Sequence, residues 1–130
     1  MHFVTGFPGF LASAFLPRLL ARTTGEVHCL IQPRYAALAT ERLHTLMAEN
    51  EEAQRVRLVE GDLTEPLLGL DARTFRGIET AYHFAAVYDL GVEADLAQRV
   101  NVDGTRHVVD ALRRSERFER LHYVSTLFVS

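Results

Sequence analysis

The sequence contains no lysine: all 14 of its basic residues are arginine. A GC-rich coding sequence accounts simply for such a bias. Its consequence is chemical, because no side-chain ammonium is available for catalysis. There is one cysteine, Cys29, so no disulfide can form within the chain, and a reducing, cytoplasmic compartment is the expectation. No apolar run approaches the roughly 20 residues that span a bilayer, and the start lacks the basic residues and long apolar core of a signal peptide. A basic excess is missing as well: a net charge of −3 over 130 residues argues against a nucleic-acid-binding surface. The six histidines, His2, His28, His44, His83, His107 and His122, show no pairing at zinc-ligand spacing, and no metal site is expected. No serine stands in a Gly-x-Ser-x-Gly elbow. Cys29 lies in an apolar strand with no neighbour to lower its pKa and reads as inert.

What is present is an ordinary globular composition, 48% apolar and 24% charged, enough for one domain with a real core. The first residues carry the most information. Met1 to Thr5 reads as a short apolar strand, Gly6-Phe7-Pro8-Gly9 as a tight turn, and the segment from Phe10 as a helix. A strand, a glycine turn and a helix N-terminus together make a phosphate site, because unpaired backbone N–H groups and the positive end of the helix dipole point at the turn. Gly6 and Gly9, with Phe10 and Leu11 opening the helix, are therefore read as holding a pyrophosphate through backbone N–H groups.

Strands and helices alternate along the rest of the chain, with no repeats and no linker. Strands are expected at about 3–5, 27–31, 56–59, 80–84 and 120–124. Helices are expected at about 10–22, burying Phe10, Leu11, Ala14, Phe15 and Leu19, with Pro17 bending it or marking a defect. A second is expected at 35–53, burying Ala39, Leu43, Leu46 and Met47. A long third helix at 93–114 would bury Leu96, Val100, Val108, Ala111 and Leu112. The stretch 64–77 reads as a loop with one short helix near 72–76. Helical crossovers force parallel pairing, so the expected fold is an α/β Rossmann-type doubly wound parallel sheet of order 3-2-1-4-5.

The end of the second strand selects the coenzyme. NAD sites place Asp or Glu there, whereas NADP sites use Arg for the 2′-phosphate. Here the residues are Gln32-Pro33-Arg34, which favours NADP(H) over NAD(H), with Arg34 as the phosphate partner and Arg42 in reserve.

Five segments together resemble the extended short-chain dehydrogenase/reductases, in the branch of fatty acyl-CoA reductases and thioester reductase domains. They are Thr5-Gly6-Phe7-Pro8-Gly9-Phe10-Leu11-Ala12, Gly61-Asp62-Leu63-Thr64, His83-Phe84-Ala85-Ala86-Val87, Asn101-Val102-Asp103-Gly104-Thr105 and Tyr123-Val124-Ser125-Thr126. Ala12 replaces a third glycine. The resemblance implies that Asp62 bonds the adenine amino group with Leu63 beside the ring. It places the adenosine ribose and phosphates against Ala85, Ala86 and Val87. It gives Asn101 a place in a water-linked proton relay, or else a structural role pinning its helix. Ser125 would line the nicotinamide pocket, and Thr126 would be the catalytic hydroxyl on the substrate oxygen. His28, His83, His122 and Thr105 read as packing residues.

The family's Tyr-x-x-x-Lys pair is not found. The expectation is therefore a single NAD(P)-binding domain over 1–130, the N-terminal part of a longer architecture stopping before a sixth strand. It would belong to an NADP-dependent oxidoreductase acting on a small-molecule carbonyl or thioester and be inactive alone. A non-catalytic NADP-binding regulatory module and the cofactor half of a sugar-nucleotide epimerase or dehydratase are the alternatives. No nucleic-acid or membrane partner is expected. An uncovered fifth strand or the long helix would favour a homo-oligomer.

Overall fold

The computed structural model describes residues 1–85 and 94–124. Its strands are β1 (His2–Thr5), β2 (Val27–Ile31), β3 (Val56–Glu60), β4 (Thr80–His83) and β5 (Arg120–Tyr123). All pair in parallel, in the order β3-β2-β1-β4-β5. The sequence-based order and class are those observed. The order reverses between β2 and β4 at the central β1, and ligands bind at this switch point in open α/β sheets.

Successive side chains of a strand point to opposite faces, and each face has its own core. Val4, Cys29, Ile31 and Val56 pack beneath α1 (Phe10–Arg22) and α2 (Ala36–Glu49), against Leu16, Leu20, Ala39 and Leu43. Phe3, Leu30 and Ala81 point the other way, toward Phe75, Ile78, Val108 and Leu112. Fully burying a side chain such as Leu16 or Leu20 contributes about 1.5–3 kcal/mol, so both helices are held by their apolar stripes rather than by propensity. Cys29 lies wholly inside, and burial pushes its thiol up to about 12.

Several local expectations are corrected. The buried stripe of α1 is Ala12, Leu16, Leu19 and Leu20, while Phe10 and Leu11 are 84% and 48% exposed. Phe10 opens the helix, so its side chain has no turn of its own beneath it and stands over the cleft rather than over the sheet. Phe15 is half-buried against Tyr82 and Phe84, at ring-centroid distances of 4.8 and 5.1 Å. α1 runs on through Pro17 as one element.

The second helix stops at Glu49 instead of continuing to 53. Asn50 takes an extended backbone, and its Oδ1 accepts the Glu52 N–H at 3.0 Å, starting a separate 3-10 turn over Glu51–Arg55. Met47, expected on the buried face of this helix, is exposed. The 64–77 stretch holds two 3-10 turns, Pro66–Gly69 and Ala72–Phe75. Leu67 and Leu68 have positive φ (54° and 59°), a conformation sustained by burying Leu68 completely.

The long third helix is not uniform. It comprises α3 (Ala94–Ala97), a π-helical segment over Gln98–Asp103, and α4 (Gly104–Leu112). Val108, Ala111 and Leu112 are buried as expected, Val100 is half-buried, and Leu96 is exposed. A Cβ at Gly104 would lie 3.2 Å from the Leu63 Cβ, so glycine is what lets α4 close on that segment.

Candidate coenzyme site

The turn after β1 is built from bare backbone. Gly6 has φ +97°, and a Cβ there would lie 2.9 Å from the Phe84 Cβ and 3.0 Å from the Ala85 nitrogen. At Gly9 a Cβ would meet the Gly6 carbonyl oxygen at 2.6 Å. Both glycines are thus required by close approach, just beyond the paired ends of β1 and β4. The Gly9 N–H donates to the Gly6 carbonyl at 2.7 Å, closing the turn, and the Gly9 carbonyl accepts the Ser13 N–H at 2.9 Å. Of the four residues read as pyrophosphate donors, Gly9 therefore spends its N–H inside the turn. Those of Phe10 and Leu11 belong to the first turn of α1, which offers them no carbonyl partner. The N-cap of α1 is Gly9, so no side chain covers this end, and no acidic residue lies in the first turn.

This helix end opens on a cavity of about 900 Å³. Gly6, Gly9, Phe10, Leu11, Arg34, Leu63 and Ala85, all singled out from the sequence, lie in its wall. Asp62 and Asn101 do not, although their neighbours Gly61 and Val100 do. Ala86, Val87, Ser125 and Thr126 lie outside the described residues. Gln32, Tyr35, Leu38 and Phe84 also line the cavity without having been singled out as coenzyme contacts.

The electrostatics of the wall are one-sided. Among the described lining residues the charged groups are Arg34 and Arg42, with no carboxylate. Arg34 follows β2 in a 3-10 turn (Pro33–Tyr35), donates from Nε to the Gln32 Oε1 at 2.9 Å, and stacks 4.7 Å over the Tyr35 ring. Arg42 reaches across from α2, and its Nη1 donates to the Pro8 carbonyl in the glycine turn. The fork of Arg42 thereby stands beside the open end of α1.

Asp62 is held in a turn. Its Oδ1 accepts the Thr64 N–H at 2.8 Å and the Thr64 hydroxyl at 2.7 Å. The hydroxyl and then the backbone N–H of Thr64 hold its carboxyl below the usual carboxylate range. The following residue is clamped from α4, where the His107 Nδ1 donates to the Leu63 carbonyl at 2.7 Å. Asn101 sits within the π-helical segment, and its carbonyl accepts the Thr105 hydroxyl at 2.8 Å.

His83 and Thr105, read as packing residues, prove to be polar partners. His83 is 1% exposed, with Nδ1 2.6 Å from the Thr5 hydroxyl and Nε2 3.1 Å from that of Thr105. Burial lowers its pKa to about 4. Among the described residues no group of three His, Cys, Asp or Glu side chains is arranged to hold a metal.

Comparison with known proteins agrees with this geometry. The family model described as "Male sterility protein" matches residues 4–130. The isonitrile lipopeptide synthase of Streptomyces coeruleorubidus is 31% identical over 138 residues, covering 98% of this chain and 9% of that protein. Among solved structures, the terminal R domain of the myxalamid PKS-NRPS pathway superposes with a TM-score of 0.81 at 29% identity, over 97% of this chain and 34% of that one. The PhqB reductase domain of Penicillium fellutanum gives a TM-score of 0.75 at 25% identity, over 97% of this chain and 36% of that one. The chain thus spans only a fraction of the length of each of these relatives. With its glycine turn, doubly wound sheet and five ordered motifs, the chain belongs to the male sterility protein family, within the extended short-chain dehydrogenase/reductases.

Proposed function

We propose that this chain holds NADP(H) for an oxidoreductase that reduces a small-molecule carbonyl or thioester. The observation that carries the reading is the uncapped start of α1, reached through two glycines that tolerate no Cβ, opening on a cavity whose described charged residues are both arginines. The backbone N–H groups of Phe10 and Leu11 and the helix dipole would take the diphosphate. Arg34 and Arg42 would take the 2′-phosphate, since a guanidinium pairs with phosphate bidentately and no carboxylate stands by to repel it. Gly61, Leu63 and Ala85 would bound the adenosine, and Asp62 would bond the adenine amino group with its remaining acceptor capacity. The coenzyme supplies hydride chemistry, while the protein supplies binding and orientation. The similarity to a reductase domain supports the reaction class. In that reading Thr126 orients the substrate oxygen, Ser125 lines the nicotinamide end, and Asn101 supports the proton path.

Calorimetric titration with NADPH and NADH tests the coenzyme assignment. NADPH should bind at least about tenfold more tightly than NADH, the weight of one charge-assisted contact. Arg34→Ala and Arg42→Ala should each erode that preference without weakening NADH. Equal binding of the two coenzymes, or a preference for NADH, would overturn the NADP(H) assignment.

A further inference from the structure

Behind the cleft wall runs a buried chain of hydrogen bonds that the coenzyme reading does not use. Thr5 and His83 are register partners at the C-terminal ends of β1 and β4, so their side chains emerge on the same face, toward α4. The Thr5 Oγ1 receives the Ala85 N–H at 3.1 Å and lies 2.6 Å from the His83 Nδ1. The His83 Nε2 lies 3.1 Å from the Thr105 Oγ1, and Thr105 lies 2.8 Å from the Asn101 carbonyl.

Donor counting fixes the protons. A carbonyl only accepts, so the single Thr105 hydroxyl proton goes to Asn101, and Thr105 can only accept from His83. His83 Nε2 therefore carries the proton. Nδ1 is then an acceptor, and it takes the Thr5 hydroxyl proton while Thr5 accepts from Ala85. Each hydroxyl and each ring nitrogen is satisfied once this assignment is made, and a second ring proton would displace the Thr5 proton from its acceptor.

From this geometry we infer that His83 is a positioning residue. As a neutral ring protonated at Nε2, it joins Thr5, at the root of the glycine turn, to Thr105 on α4. The cleft wall at Gly6 and Ala85 and the helical segment carrying Asn101 are thereby held as one unit. Because Gly6 and Ala85 line the cavity, whatever occupies the cavity is linked to the placement of that helix, and the linkage is reciprocal. The effect on coenzyme affinity rests on the reading of the cavity as an NADP(H) site; the state of the ring does not.

The test uses the full chain uniformly labelled with nitrogen-15, the wild type beside Thr105→Val and Thr105→Ser. Valine keeps the volume of threonine and removes its hydroxyl; serine keeps the hydroxyl and loses the methyl group. In the wild type at neutral pH, His83 should show a bare Nδ1 and a protonated Nε2. Thr105→Val should abolish that pattern, shift the amide signals of Gly6 and Ala85, and weaken NADPH binding about fivefold, the lower end of measured couplings between sites. Thr105→Ser should restore the ring pattern and the affinity. A protonated Nδ1 in the wild type would overturn the inference. So would the inverse pattern, in which valine behaves as wild type and serine is impaired, because that is the signature of space-filling. If the wild type binds no coenzyme, the coenzyme reading fails by itself, and the ring pattern and amide shifts still decide the role of His83.

Discussion

Two structures leave Thr5 in opposite directions and are made of different materials. Forward along the chain, the turn at Gly6 and Gly9 is backbone alone, bordered by the exposed Phe10 and Leu11 and facing an open cavity. Sideways across the sheet, the Thr5 side chain enters a buried relay through His83 to Thr105. The first region is specified by what is missing, namely any Cβ at two positions and any cap on α1. The second is specified by side chains whose every donor meets an acceptor. A site that must admit a ligand leaves its donors open, and a joint that must not move closes all of them.

The largest way to break the contrast is to put a side chain in the bare region. Gly6→Val demands φ +97° of a β-branched residue and drives atoms into Phe84 and Ala85. It should cost about 1–3 kcal/mol of stability from the backbone alone and reduce coenzyme affinity by at least about a hundredfold, a loss of roughly 2.7 kcal/mol. Urea melts and calorimetry on the same sample check both effects.

The buried region responds instead to acid. His83 titrates near 6.5 when unfolded and about 4 when folded, so below 6.5 the unfolded chain binds more protons. Its contribution is therefore fully present above pH 6.5 and is lost as pH falls from 6.5 toward 4, in total about 3 kcal/mol by linkage. His2 adds a loss of the same sign, because burial lowers its pKa as well. Urea denaturation at stepped pH should show this decline, and replacing His83 with a residue that does not titrate should flatten it.

A smaller effect separates the arginines from the glycines. Arg42→Ala should weaken NADPH about tenfold while leaving the fold intact, because its partner, the Pro8 carbonyl, still accepts the Ser13 hydroxyl at 3.0 Å. The smallest concerns a helix end remote from both regions. Asn50→Ala removes the acceptor for the Glu52 N–H and should cost about 1 kcal/mol, seen as a lower urea midpoint with unchanged coenzyme binding.

The bare region was the part readable from sequence. Gly6 and Gly9 between an apolar strand and a helix have one economical physical explanation, and strand order follows from alternating elements. The relay was not readable, because Thr5 and His83 meet across 78 positions of sequence through strand register. Their polarity carried a signal, since a hydroxyl and an imidazole at the ends of two central strands need partners, but apolar periodicity does not see it. The break at Gln98–Asp103 escaped for a related reason: the spacing of Val100, Val108 and Leu112 fits a helix without revealing which carbonyl each N–H chooses. In α1 the ambiguity lay in phase, because Phe10, Leu11 and Phe15 are as apolar as the Leu16, Leu19 and Leu20 that turn inward. Both arginines were readable, Arg34 by its place after β2 and Arg42 as its reserve on the following helix, but not the contact that α2 gives Arg42 with the glycine turn.

The most direct measurement is calorimetry of NADPH against the wild-type chain and Gly6→Val, with circular dichroism confirming that both are folded. Saturable binding to the wild type and none to the variant is the expected result. A folded wild-type chain that takes up neither NADPH nor NADH, or a variant that binds as tightly as the wild type, would contradict the assignment of the glycine turn as a diphosphate cradle.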